Sequence, residues 1–183
     1  LDQWRDDSWQ YNAVAESLVK NHSFHDTSSR FFGPFQKGPG YPIFLAAVYS
    51  VFGFKPLAAE VVQYILWVAS LWLLWQISKN FIEGRLALAP SFLLAGYWGA
   101  AAYVFSINSD LIALFFTLLF GWILCEHQKN FRITYAVALG GALGFLVLIK
   151  PIALYLIPCL GIFLLLVARS DGRKVYSHLF VAI

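Results

Sequence analysis

Charge is what the chain most lacks. Lys, Arg, Asp and Glu together make up 13% of its 183 residues, against about 25% in a soluble globular domain. Too little charge is present to cover a water-facing surface, so an ordinary soluble fold is excluded. Hydrophobic residues reach 60% and the mean hydropathy is +0.66, which places the chain in a bilayer. Methionine is absent. The expectation is that Leu1 is not a natural start and that the sequence is an internal fragment, stopping inside a new apolar run at Phe180-Val181-Ala182-Ile183. A signal peptide cannot be judged from such a piece. Cysteine is limited to Cys125 and Cys159, both in apolar runs; they read as small buried hydrophobes, not as a disulfide or a metal site. Histidine is scarce too. His22 and His25 stand three apart with no Cys and no third His close by, whereas a catalytic zinc usually needs three protein ligands. The net charge of +3 is small and implies no nucleic-acid partner.

What charge there is gathers in telling places. The densest patch of acids and aromatics is Trp4-Arg5-Asp6-Asp7-Ser8-Trp9-Gln10-Tyr11. Asp7 with Gln10 three residues on resembles a capping box, and an acid at a helix start is stabilised by the macrodipole. Asp6 or Asp7 thus caps a helix running to about Lys20, or supplies a base, and the two roles are compatible. That helix would turn Trp9, Ala13, Leu18 and Val19 toward a membrane surface, where indoles suit the headgroup zone. Asn21-His22-Ser23 fits the glycosylation acceptor pattern, which has meaning only in a host that reads it. Gly33-Pro34 and Gly38-Pro39-Gly40 then mark turns. The apolar stretch from Tyr41 to Phe54 has 14 residues, too few for a core that takes about 20. It is expected to be a re-entrant or surface helix.

Five longer apolar runs follow, at about 57–78, 86–107, 109–125, 133–149 and 151–168, with another starting near 177. Of the eight Lys and Arg beyond position 56, seven fall in the alternate loops 79–85, 126–132 and 169–176. The positive-inside rule makes those loops cytoplasmic. Residues 1–56 then lie outside, and a crossing by 41–54 would invert every later loop. Asp6, Asp7, the Gly-Pro-Gly loop, Asp110 and Lys150 all come to one face. Glu60 lies near the outer end of the first span, where a carboxylate either serves a function or faces headgroups. Asp110 is a candidate cap for the third span. Lys150 is placed to snorkel, with Pro151 opening the next helix. Gly140-Gly141 and Gly144 are expected to let helices approach closely.

These features, in this order, resemble the N-terminal part of the GT-C glycosyltransferases. The nearest group is the glycosyltransferase 39-like one, which includes protein O-mannosyltransferases and the aminoarabinose transferase that modifies lipid A. That group carries an Asp followed four residues later by a Tyr in its first extracytoplasmic loop, as Asp7 and Tyr11 do here. It also has a Pro/Gly-Tyr stretch before a juxtamembrane helix and a Phe-Gly, matched by Lys37-Gly38-Pro39-Gly40-Tyr41-Pro42 and Phe52-Gly53. Asp110 lines up with an Asp at the outer end of a later span, and Lys150-Pro151 with a basic residue beside Pro or Gly that follows the family's fifth run. One departure stands out. The aminoarabinose enzymes have Glu-Lys-Pro where this chain has Gln36-Lys37-Gly38, which leaves the acceptor and sugar class open.

The resemblance implies an all-α, polytopic membrane protein of the bacterial inner membrane, with juxtamembrane helices in the extracytoplasmic segment 1–56 and a transmembrane bundle over 57–183. It implies inverting transfer from a polyprenyl-phosphate sugar to a hydroxyl on a lipid, glycan or protein. Asp7 is then the base, with Asp6 in reserve, and Asp110 orients Asp7 or the acceptor. Lys37 and Lys150 meet the phosphate, Tyr11 and Tyr41 join the substrate site, and no obligatory metal is expected. Two rivals are a transporter and a non-catalytic scaffold. A transporter would show broken helices and ionisable residues near the midplane, which the second to fifth runs are not expected to have.

Overall fold

The computed structural model describes residues 8–24, 38–99, 103, 106–130 and 132–162. Asp6, Asp7 and Lys37, and the run expected from about 177, lie outside the described residues. So does the stretch of the fifth run beyond 162. Among the described residues every regular element is helical.

Helix α1 (Ser8–Asn21) buries Ser8, Tyr11, Asn12 and Ala15, a spacing that puts all four on one helical face. That face packs on α2 (Gly40–Phe52). Trp9, Ala13, Leu18 and Val19 remain at least partly exposed. With 13 residues, α2 rises about 20 Å, short of a hydrocarbon core about 30 Å thick. It ends at Gly53, whose φ of 75° is open to glycine at no steric cost.

Helices α3 (Pro56–Ser78) and α5 (Ser109–Lys129) are long and apolar enough to cross a membrane. The 23 residues of α3 correspond to about 34 Å. The run between them, expected as one helix over 86–107, is instead broken. A 3-10 turn at Gly84–Leu88 leads into α4 (Ala89–Gly96), and Tyr97 leaves helical geometry at φ −78° and ψ 100°. Pro90 fixes where α4 begins, since proline is tolerated in the first turn and not deeper. Gly96 and Gly99 bracket its exit, and glycine is a poor helix former. Ser91 Oγ donates to Leu71 O at 2.9 Å and fastens α4 to α3.

Helix α6 (Ile133–Ile149) fills its apolar run, and α7 (Pro151–Ile162) opens with a 3-10 turn. Pro151 explains the boundary. A residue before proline is pushed out of the helical region, and Lys150 is extended at φ −132° and ψ 101°. Helix α5 packs on α3 and α6. One apolar core joins Tyr41, Leu45, Trp67 and Ile112 at the end where α3 and α5 begin; a second joins Phe120, Ile123, Leu139 and Leu143. At Gly141 and Gly144 the close approach expected of the α6 glycines is not found: among the described residues a methyl on either would touch nothing, and α6 buries Ala136, Leu139, Ala142 and Leu143 instead. The outer face of α3 exposes Val61, Ile65, Val68 and Trp72. Such a face is costly in water and natural in lipid. This is an all-α membrane protein.

Candidate functional site

The site is built where α5 begins. Asn108 is extended at φ −143° and ψ 144°, and its side chain accepts the N–H of Asp110 at 3.2 Å. The capping role expected of Asp110 therefore falls to Asn108. An N-cap must stand outside the helix with non-helical backbone, and Asp110 is already in the first turn. Its carboxylate serves another partner: Lys150 Nζ lies 2.8 Å from Asp110 Oδ1. The two side chains are 36% and 47% exposed, so the pair sits half in solvent. An ammonium has three donors, and this bond does not exhaust it.

Helix α1 is tied to the same place. Ser8 Oγ donates to Ile107 O at 2.9 Å, and Tyr11 OH meets Ser109 Oγ at 3.3 Å. The Tyr11 ring stands edge-on to Tyr41, with centroids 4.7 Å apart. Tyr41 OH donates to Gln63 Oε1 at 2.6 Å, and Gln63 Nε2 donates to Ser106 O at 2.9 Å. Tyr49 OH donates to Asn12 Oδ1, whose amide donates in turn to Ser8 O at 3.1 Å. Burial pushes the Tyr41 phenol well above its usual range, Tyr49 and Tyr11 add to this, and a hydrogen bond from the Asn108 backbone opposes it. Burial, then Glu60, pushes Tyr49 up to about 12. Both phenols are thus neutral donors at physiological pH, as their bonds require.

The Gly-Pro-Gly turn closes on α6. A methyl on Gly40 would stand 2.8 Å from Ile149 N and Leu148 C, and one on Gly38 would run into Leu148 O. Both positions admit glycine because the turn lies directly on the backbone at the end of α6.

Tyr11, Tyr41, Asp110 and Lys150 are thus gathered at one end of the bundle, while Asp6, Asp7 and Lys37 fall outside the described residues. Gln63, Asn12, Ser8 and Ser109 are the buried polar groups that sequence reasoning missed. A lone amide in an apolar span was the available signal for Gln63. Glu60 Oε1 is buried with no hydrogen-bond partner among the described residues. No three His, Cys, Asp or Glu among those residues are grouped to hold a metal.

A half-exposed ammonium–carboxylate pair beside buried phenols, at the rim of an apolar helical body, defines a membrane protein with a polar site at one end of its bundle. The sequence model of the dolichyl-phosphate-mannose-protein mannosyltransferase family matches residues 36–183. The chain belongs to this family, whose members are membrane glycosyltransferases of the mannosyltransferase kind. No curated protein and no solved structure matches it. The matched stretch contains Tyr41, Gln63, Asp110 and Lys150; Asp6, Asp7 and Tyr11 precede it.

Proposed function

We propose that the chain carries the donor end of an inverting glycosyltransferase that moves a sugar from a polyprenyl phosphate to a hydroxyl acceptor. The reaction takes place on the extracytoplasmic face, to which the charge pattern assigns residues 1–56, with 57–183 as the transmembrane bundle. A bacterial inner membrane is the setting. The observation that carries the reading is the fastening of the start of α1 to the start of α5, where Asp110 pairs with Lys150. Asp7 directly precedes Ser8 in the chain.

Asp7 takes the acceptor proton, with Asp6 in reserve. The acceptor oxygen attacks the anomeric carbon from the face opposite the phosphate. The bond from that carbon to the phosphate oxygen breaks, its electron pair leaves with the phosphate, and the centre inverts. Lys150, held by Asp110, and Lys37 meet the charge that develops, while the buried Tyr11 and Tyr41 support the site from beneath. A single phosphate carries less charge than a diphosphate, so lysine suffices and no obligatory metal is proposed. The lipid tail lies along the apolar helices. Asp7→Asn should abolish transfer in the full-length protein while leaving it inserted and folded; full activity in that variant would sink the assignment of the base.

Among the described residues, the break at Tyr97 favours a transporter. On the topology the charge pattern assigns, it falls off the midplane, however. The 3-10 turn and α4 together climb about 22 Å of a core about 30 Å thick, and α3 and α5 carry no charged residue in their middle turns.

A further inference from the structure

We propose that Gln63 is a positioning residue for this reaction: by bridging Tyr41 to the backbone of Ser106, it fixes where Asp110 and Lys150 stand relative to Tyr11. The inference rests on the glycosyl-transfer reading above. Gln63 is fully buried, about 10 Å along α3 from its first residue. An amide this deep in an apolar helix is costly unless both its ends are bonded. Here Oε1 accepts from Tyr41 OH and Nε2 donates to Ser106 O.

The partners show what is being held. Ser106, Ile107 and Asn108 form a non-helical strap leading into α5. Such a strap has no helical ladder, so its backbone groups must be bonded from elsewhere. Side chains from two helices do this. Gln63 of α3 bonds the Ser106 carbonyl and Ser8 of α1 bonds the Ile107 carbonyl. Asn108 then caps α5 on the Asp110 amide. The circuit closes through the Tyr41 ring on Tyr11, whose hydroxyl meets Ser109. Gln63 joins the two halves of this circuit, because an amide both donates and accepts at a fixed separation. Moving it moves the strap, and the strap leads directly into the first turn of α5, where Asp110 pairs with Lys150.

The test uses full-length protein in membranes, a panel of polyprenyl-phosphate sugars, and transfer rates normalised to folded protein. Gln63→Leu removes both bonds and should lower kcat about 100-fold, the effect of roughly 1 Å of misplacement. Gln63→Glu discriminates. Protonated, its carboxyl accepts with one oxygen and donates with the other, as the amide does. Ionised, it can only accept, and it sets charge against Ser106 O. The kcat of Gln63→Glu should therefore approach wild type at acid pH and fall toward that of Gln63→Leu as pH rises. Tyr11 on α1, Tyr41 and Tyr49 on α2, Glu60 on α3, Asp110 on α5 and Lys150 beyond α6 are the titratable neighbours. All are present in every variant, and Gln63→Leu, which adds no ionisable group, measured over the same pH range gives the background against which Gln63→Glu is read. A Gln63→Glu ratio that stays as low as that of Gln63→Leu even at acid pH, or a Gln63→Leu variant with undiminished kcat, would overturn the inference while leaving the glycosyl-transfer reading standing. A folded wild type that transfers sugar from no donor would overturn both.

Discussion

Replacing Lys150 by methionine should leave the fold nearly unchanged and remove most of the transfer activity. The structure sets both magnitudes. Lys150 Nζ and Asp110 Oδ1 are 2.8 Å apart, with side chains 36% and 47% exposed. An ion pair with that much solvent contributes about 0–1 kcal/mol to stability. Methionine keeps an apolar stem of similar reach, so packing beside the end of α6 is conserved. The charge, in contrast, is proposed to meet a phosphate in the transition state. Loss of one such preorganised group costs about 100- to 1,000-fold in rate, or roughly 3–4 kcal/mol. Unfolding in detergent and transfer in membranes should thus separate, with stability within about 1 kcal/mol of wild type and kcat down by two orders of magnitude or more. Asp110→Asn breaks the same pair from its other side and should lower transfer less, because the ammonium remains. Transfer within a few-fold of wild type in Lys150→Met would refute the phosphate role. Parallel losses of stability and activity would make the pair a structural one.

Two further outcomes follow from the geometry around this pair. Gly40→Ala places a methyl 2.8 Å from backbone atoms of Leu148 and Ile149, well inside ordinary carbon contact, and backbone atoms cannot rotate away. It should destabilise the protein by about 1–3 kcal/mol, read by thermal unfolding; unchanged stability would mean the turn does not lie on α6. Alkaline pH should act through the buried phenols. The folded pKa of Tyr49 is raised from 10.0 to about 12, and that of Tyr41 is raised as well. The stabilisation from Tyr49 is therefore complete below pH 10 and lost as pH rises through about 12, and that from Tyr41 is likewise lost as pH rises through its own raised pKa. Tyrosinate absorbance followed with unfolding should show the loss beginning above pH 10; a Tyr49-dependent loss beginning below pH 9 would contradict the buried, hydrogen-bonded phenol.

The helices were legible wherever hydropathy and punctuation agree. Helix α6 lies between Arg132 and Lys150-Pro151, and α3 begins at Lys55-Pro56, so proline and charge mark edges that apolar composition alone would blur. The break at Tyr97 was not legible because Tyr97 and Trp98 count as apolar and hide the two glycines around them. The cap was misassigned for a related reason. Asn108, Ser109 and Asp110 are all good capping types, and which one stands outside the helix depends on the strap before it. Of the candidate site, Tyr11, Tyr41, Asp110 and Lys150 were found because they are polar or aromatic residues at the edges of apolar runs. Gln63 was passed over because one amide in a span gives no period and no motif. Its importance comes from Tyr41 and Ser106, which are 22 and 43 residues away in the chain.

The measurement that bears most directly on the central claim is release of polyprenyl phosphate by the wild-type, full-length protein in liposomes supplied with a panel of polyprenyl-phosphate sugars. The expected result is release from at least one donor, with the sugar recovered on a hydroxyl acceptor and its anomeric configuration inverted. No release from any donor, by protein shown to be folded and inserted, would contradict the claim.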